Sequence, residues 1–304
     1  MTAPTTVGPP LALAAGVIVA VQLAPLVLLA LLYARRARTL ARGRHAVPIW
    51  RQSSFYAGVF AIAVLFAAGQ SRGQLLLLHT VENLVLIDFA PLLIVLGTTT
   101  PLIAPLIRLD ALRRLSFIAN PLIAFPLWAA DLYLWHAAPL YQAALEHPGW
   151  HLLQHTAFVL CGINLWLCLF GPLPKPSWFG DLGRFLYILA ICLSGAALGN
   201  IFLWSGTVFY LRYMHSDAVH HISPLADQNL AGAAMLIACA LLAIGLFYWM
   251  FRRSARESRE REDLLDLARL HGVPLSERRA ARAVTAGRGG ELRNRLERNV
   301  KTLS

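Results

Sequence analysis

The chain has 304 residues, of which 57% are hydrophobic and only 14% are charged, whereas soluble domains average about 25% charged residues. The charges stand in blocks between apolar runs of about 20 residues, the length that a helix needs to cross a bilayer core. This composition excludes an ordinary soluble protein and predicts an all-α polytopic membrane protein. The net charge of +11 does not indicate a nucleic-acid-binding protein, because the basic residues flank the apolar runs and are typical of topology signals with some attraction to anionic lipid.

Seven apolar runs predict a bundle of seven transmembrane helices. They cover approximately residues 11–34, 53–70, 74–97, 120–141, 150–171, 183–205 and 229–251. The segment before the first run has no Lys or Arg, so we expect a retained helix and not a cleaved signal peptide. Pro25, Pro91 and Pro126 fall inside runs, where we expect them to kink or locally break the helix. The predicted domains are a transmembrane domain at 1–251 and a basic tail at 252–304, partly helical or disordered.

The distribution of Lys and Arg among the connections predicts the orientation of the helices. The connection after the first run, "RRARTLARGRHAVPIWRQ", is densely basic, and the tail begins "RRSARESRERE". Basic residues also occur in the third-to-fourth and fifth-to-sixth connections, whereas the opposite side has little beyond Arg72 and Arg212. Because basic loops stay in the cytoplasm, we expect the N-terminus outside and the tail in the cytoplasm.

Eight of the ten histidines fall on the predicted outer side of the bundle. They are His79, His136, His147, His151, His155, His215, His220 and His221. His151 and His155 are four residues apart and share one helix face, as do His79 and Glu82, which are three apart. Neutral imidazole suits copper, zinc, nickel and iron, and copper binds most tightly in the first-row series. Met214 stands beside His215, and a thioether there favours copper over harder ions.

The clustering predicts a metal site at the outer ends of the helices. Its candidate ligands are His79, Glu82, His136, His151, His155, His215, His220 and His221. Each histidine alone is more typical of an interfacial position, and the pair His151 and His155 is also typical of hydrogen bonding between helices. The site is favoured for the set as a whole, because aromatic belts occur at both membrane faces and these histidines occur at one.

Two carboxylates lie in the middle of predicted spans. Asp88 is in the third run and Asp131 in the fourth, and ionisable residues at that depth are costly and indicate function. Asp88 lies about 180° around the helix from His79, so the two cannot share one ligand shell. A hydrogen bond to Asn164, Asn200 or Ser194 and a proton path are both open for Asp88. No nucleotide-binding loop, zinc-protease motif or nucleophile elbow appears, so no enzyme is predicted.

Four segments carry a family resemblance. "LLLLHTVENLVLIDFAPLLIVLG", "NPLIAFPLWAADLYLWHAAPLYQAALEHPGWHLLQHTAFVLCGINLW", "LYILAICLSGAALGNIFLWSGTVFY" and "LADQNLAGAAM" resemble, in order and spacing, the multi-spanning CtaG-type cytochrome c oxidase assembly factors. The resemblance covers about residues 74 to 250. It implies a seven-span protein of the bacterial plasma membrane that binds copper transiently at its outer face and helps deliver it to an oxidase subunit.

The resemblance also suggests functional residues. By motif match they are His79, His136, His155, Asp227 and Gln228. The third span of the family usually reads like His-Met-x-Gln-His, and here the corresponding stretch is "HTVEN" from His79. The thioether and the second imidazole are absent, and Glu82 replaces Gln. An oxygen ligand from Glu82 would suit Cu(II) or Zn(II) better than Cu(I).

Two other functions fit the same residues. Imidazoles on the third, fourth and fifth spans could hold a haem through two axial histidines. Alternatively, Asp88 and Asp131 could line a path for metal ions or protons in a transporter, although no inverted repeat supports this. The sequence carries no signal for an oligomeric state.

Overall fold

The computed structural model describes residues 9–43, 45–68, 74–107, 116–173, 175–176, 178–285 and 287–301. Every regular element within those ranges is helical, so the predicted all-α class is confirmed. In chain order the α-helices are α1 (Pro9–Ala41), α2 (Ile49–Ala68), α3 (Leu76–Leu96), α4 (Thr100–Ile107), α5 (Pro121–His136), α6 (Ala138–Glu146), α7 (Pro148–Phe170), α8 (Asp181–Trp204), α9 (Met214–Val219), α10 (Pro224–Leu270), α11 (Glu277–Thr285) and α12 (Gly289–Lys301).

Six helices of the described part are long and apolar enough to cross a bilayer, namely α1, α2, α3, α7, α8 and α10. The predicted span 120–141 is instead two helices that meet at Ala137. Asn120 caps α5 by accepting from Leu122 N at 3.0 Å. At the other end Ala137 takes an extended conformation, and Pro139 has no N–H with which to continue the helix. The seven-span count and the orientation therefore stay predictions.

A wide π-helical turn at Val85–Phe89 interrupts α3. Pro91 follows it and cannot donate an N–H to the carbonyl of Ile87, which accounts for a break at this point. Trp166 of α7 donates to the main-chain oxygen of Asp88 at 2.9 Å. A Cβ at Gly162 would overlap the Ile87 oxygen, so a glycine lets α7 approach α3 closely. The expected break at Pro91 is therefore this turn, whereas Pro25 and Pro126 lie inside α1 and α5.

The chain divides into two compact units. One contains Met1–Gly180 and Leu189–Ala240, and the other contains Asp181–Ile188 and Leu241–Ser304. In the first unit, α3 contacts both α2 and α7, and α5 and α6 pack on α7. This arrangement brings the start of α3 to the start of α7.

The second unit carries the polar end of the chain. Residue 251, the predicted domain boundary, falls inside the continuous helix α10, whose polar part contains an ion pair between Arg253 and Glu257. Such pairs four residues apart support a solvated helix. Two short helices, α11 and α12, follow, and they pack with α10 around a small core. Its buried members are Leu264, Ala268, Val284 and Leu296.

Candidate functional site

Three histidines from two helices converge in the first unit. His79 lies in the first turn of α3, and His151 and His155 lie one turn apart at the start of α7. Each offers one ring nitrogen, and these three nitrogens lie within 4.8 Å of one another. Pro148 at the first position of α7 sets where this helix begins. We call His79, His151 and His155 the histidine cluster.

The cluster is buried, and one ring nitrogen of each histidine is unsatisfied. The exposed fractions of His79, His151 and His155 are 2%, 9% and 4%. The Nε2 atom of each ring has no hydrogen-bond partner among the described residues. A buried polar group without a partner costs about 1–3 kcal/mol, so three in one place call for a common ligand. A zinc ion binds imidazole nitrogen at about 2.0–2.1 Å, so the three nitrogens would have to draw closer together to share one ion.

Aromatic side chains enclose the cluster. Phe66 of α2 stacks on His155 with ring centroids 5.9 Å apart, and Tyr141 of α6 meets His79 edge-on at 5.6 Å. Tyr141 in turn stacks on Tyr210 at 3.9 Å, and its hydroxyl lies 3.1 Å from that of Tyr213. Burial is the largest of the effects that raise the pKa of Tyr213 above its ordinary value, so this tyrosine stays neutral. We call Tyr141, Tyr210 and Tyr213 the tyrosine layer, and it meets the cluster through the contact of Tyr141 with His79.

Glu82 stands beside the cluster and outside the group of three nitrogens. Its Oε2 atom lies 3.6 Å from Nδ1 of His79, which is longer than a hydrogen bond. A carboxylate on the far nitrogen of a ligating histidine commonly orients the ring and fixes its tautomer. The position of Glu82 beside Nδ1 of His79 suits it to an orienting role of this kind.

His136, a predicted ligand, is held by another interaction. Its Nδ1 atom lies 2.7 Å from the carbonyl oxygen of Leu132. Its ring packs against Tyr141 and Phe158, with centroids about 6 Å away, and its own carbonyl accepts from Tyr210 Oη at 2.6 Å. His136 therefore adjoins the tyrosine layer and is not one of the three converging histidines.

The remaining predicted histidines lie at the surface of α9 and the turn after it. His215, His220 and His221 are exposed and do not belong to the histidine cluster. His221 has a φ of 55°, a left-handed conformation that ends the turn before α10. As exposed imidazoles these residues remain candidates for capturing an ion from solution.

Asp227 and Gln228 position the backbone around the cluster. The carboxylate of Asp227 accepts from Leu76 N at 2.6 Å and from Leu77 N at 3.0 Å. It therefore caps the start of α3, two to three residues before His79. Gln228 accepts from Phe209 N at 2.8 Å and donates to Thr207 O at 2.9 Å, which fixes the segment leading to Tyr210.

Asp88 and Asp131 are buried away from the cluster. One oxygen of each has no hydrogen-bond partner among the described residues, and Asp131 interacts with Cys161 and Trp135. Two of the three residues predicted as hydrogen-bond partners of Asp88 donate their side-chain hydrogen bonds to other groups. The side-chain amides of Asn164 and Asn200 reach the carbonyls of Ile118 and Ala196.

Sequence reasoning missed Gln154 and the tyrosine layer. Gln154 is fully buried, and neither of its amide atoms has a partner in the described part of the chain. It lies three residues after His151 on the same face of α7, so helical spacing was a usable signal. Tyr210 and Tyr213 are three residues apart in the connection before α9, but Tyr141 belongs to α6, and no local pattern joins it to them.

A bundle of apolar helices with a buried histidine cluster defines a helical membrane protein with a candidate metal site. The family model for the cytochrome c oxidase caa3 assembly factor (Caa3_CtaG) matches residues 31–257, and the chain belongs to this family. The resemblance seen in the sequence is therefore confirmed.

Two bacterial relatives are similar over much of the chain. They are uncharacterized proteins of Mycobacterium bovis and Mycobacterium tuberculosis, each 24% identical over 259 residues. The alignment covers 78% of this chain but only 39% of each relative, so the chain spans about two fifths of their length. No solved structure matches the chain.

Proposed function

We propose that this protein binds a copper ion as transient cargo at the histidine cluster and passes it to a subunit of cytochrome c oxidase. The observations that carry the proposal are that one ring nitrogen from each of His79, His151 and His155 converges within 4.8 Å, and that the buried Nε2 atoms of these rings have no partner among the described residues. Copper binds more tightly to such nitrogen sites than the other divalent first-row ions. Membership in a family of cytochrome c oxidase assembly factors supports the oxidase as the receiving partner.

The cluster supports a carrier better than an enzyme. Three neutral imidazoles leave one position open on a four-coordinate ion, and an open position lets a ligand of the receiving protein attack the ion before the first bonds break. We therefore propose a non-catalytic role. The tyrosine layer separates the ion from water, and movement of that layer would release it.

We also propose that the cluster opens on the outer face of the plasma membrane. The basic connection after α1 and the basic start of the tail support this orientation by the positive-inside rule. The start of α7 follows a connection that lacks Lys and Arg, as expected of an outer connection.

Elemental analysis of the purified protein after copper loading and desalting tests the site. We expect about one copper per chain in the wild type, since the cluster offers one shared position. The double variant His79→Ala and His155→Ala should lose most of it. A matched control, His147→Ala with His271→Ala, removes two histidines outside the cluster and should bind like the wild type. Equal copper in all three proteins would contradict the assignment.

The same variants test the delivery role in cells. In a strain lacking the native gene, the wild type and the control should restore oxidase activity, and the cluster variant should not. Restoration by the cluster variant would contradict copper delivery through these histidines. A Soret band in the purified wild type would instead favour the haem alternative, and metal flux in proteoliposomes would favour the transporter.

A further inference from the structure

The two short helices at the end of the chain carry much of its positive charge. Residues 277–301, which comprise α11 and α12, contain eight basic and three acidic residues, a net charge of +5. The preceding polar stretch of α10, residues 252–270, contains six basic and five acidic residues and is nearly balanced. The charge excess is therefore a property of the helix pair and not of the whole polar end.

The facing sides of α11 and α12 form a groove of about 360 Å³. Its lining residues are Arg279, Arg282, Ala283, Arg288, Glu291, Leu292 and Arg295. Those on α11 lie three and four residues apart, as do those on α12, so each helix presents one stripe to the groove. Four guanidinium groups and one carboxylate give the groove a net charge of +3 over an apolar floor of Ala283 and Leu292.

The groove arginines are unpaired, unlike others in the same unit. Among the residues that the structure describes, Arg261 pairs with Glu277 at 3.7 Å and Arg293 pairs with Asp263 at 3.3 Å. None of Arg279, Arg282, Arg288 and Arg295 forms an ion pair with any described residue, although Arg282 Nε donates to the carbonyl of Arg278 at 3.3 Å. Like charges gathered around one groove repel each other, and a multivalent anion between them would remove that repulsion.

The residue type narrows the chemistry of the ligand. All four groove cations are arginine, whose planar fork binds phosphate or carboxylate oxygens in pairs, whereas lysine acts as a point charge. A volume of about 360 Å³ lies within the range of small-ligand sites and exceeds what a single phosphate group needs. The net charge of +3 in the groove is similar in magnitude to the negative charge of a diphosphate.

We propose that this arginine groove binds a phosphate-bearing anion, supplied either as a free polyphosphate or as the headgroup of an anionic lipid. The site is separate from the histidine cluster and does not depend on copper binding. Its residues lie within one compact unit, Asp181–Ile188 with Leu241–Ser304, and the small core of Leu264, Ala268, Val284 and Leu296 holds the two helices in place.

The test uses the full-length protein and two arms that separate the sources. In the first arm, protein in phosphatidylcholine nanodiscs is titrated with pyrophosphate by calorimetry. In the second, protein from nanodiscs of phosphatidylcholine and phosphatidylglycerol (3:1) is moved to mild detergent, and native mass spectrometry counts retained phosphatidylglycerol. Binding in the first arm identifies a free phosphate ligand, and retention in the second identifies a lipid headgroup.

Variants of the groove arginines test whether the arginine groove is the site of anion binding. The double variant Arg282→Ala with Arg295→Ala should weaken anion binding by roughly 100-fold. Each lost hydrogen bond between a guanidinium and the anion should cost about tenfold in affinity or more. The control Arg278→Ala with Arg298→Ala removes the same charge from the same helices outside the groove and should change binding less than about threefold. Arg282→Lys with Arg295→Lys keeps the charge and the fold and should still lose at least about tenfold. No binding in either arm, or equal weakening in the groove and control pairs, would overturn the proposal.

Discussion

The three imidazole rings of the histidine cluster pack against neighbouring rings through their faces and edges. Phe66 stacks on His155, Tyr141 meets His79 edge-on, and His151 and His155 lie with centroids 3.9 Å apart. Packing of this kind fixes the rings without using their nitrogen atoms. The three Nε2 atoms have no partner among the described residues, so the ring packing leaves them available to a ligand.

A second residue-scale feature is the buried carboxyl of Asp217 on α9. Its side chain is 1% exposed and has no described N–H or O–H donor. Burial, followed by a hydrogen bond with Asp227 and the negative charge of Asp227, raises the pKa of Asp217 to about 6, and the nearby His220 opposes this shift. A proton held on Asp217 lets the two carboxyl groups share a hydrogen bond.

This raised pKa predicts a pH-dependent stability. Because the folded state holds the Asp217 proton more tightly than the unfolded state, the contribution of Asp217 to stability is full below about pH 4 and is lost as the pH rises through about 6. The loss should be on the order of 1–3 kcal/mol. In Asp217→Asn the side chain stays neutral, so thermal unfolding followed by tryptophan fluorescence should lack this decline. An identical pH profile in both proteins would contradict the shared proton.

Local spacing predicted part of this chemistry. The interval of four between His151 and His155 placed both on one face of α7, and the interval of three did the same for His79 and Glu82. The raised pKa of Asp217 depends in part on Asp227, which belongs to α10 and also caps α3. Local sequence cannot show such a contact between elements, and an acidic residue in a polar loop is normally solvated.

At the scale of elements, the close approach of α3 and α7 sets the geometry of the cluster. The carbonyl of Ile87 faces Gly162, where a Cβ would overlap it. Trp166, four residues further along α7, donates to the main-chain oxygen of Asp88. The π-helical turn of α3 thus supplies carbonyls for contacts with α7 that a regular helix would keep for itself.

The substitution Gly162→Ala, which adds one methyl group, tests the close contact between α3 and α7. Gly162→Ala should destabilise the protein by about 1–3 kcal/mol, because one of the two backbones must move to admit the Cβ. The matched control is Gly149→Ala in the same helix, where a Cβ meets nothing within 4 Å, and it should be neutral or slightly stabilising. Thermal unfolding of both variants in the same detergent checks this, and equal midpoints would contradict the proposed close contact.

Element boundaries were predictable where apolar runs end sharply and less so elsewhere. The predicted runs at 53–70, 74–97 and 150–171 correspond to α2, α3 and α7. The apolar run at 120–141 continues past the end of α5, so hydrophobicity does not show that the helix ends there. Pro139 indicates the break, because a helix usually ends at or before the residue that precedes a proline. Helix α10 extends past residue 251 because pairs such as Arg253 with Glu257 support a polar helix that apolar periodicity does not detect.

At the scale of the molecule, the fold unites residues that are far apart in the chain. His79 and His151 are 72 positions apart in the sequence, and the contacts of α3 with α7 bring their rings to 5.8 Å. Charge asymmetry predicted a common side for the histidines, but it carries no distances, so His136 and the three surface histidines could not be separated from the cluster. Only the packing of the helices distinguishes these four histidines from the cluster, and local sequence patterns do not predict that packing.

X-ray absorption spectroscopy of the copper-loaded full-length protein tests the proposed cargo site most directly. We expect about three imidazole nitrogens at roughly 2.0 Å from copper, and His151→Ala should remove one of them while His147→Ala should not. Sulfur ligands, or an imidazole count that is unchanged by His151→Ala, would contradict copper binding at the histidine cluster.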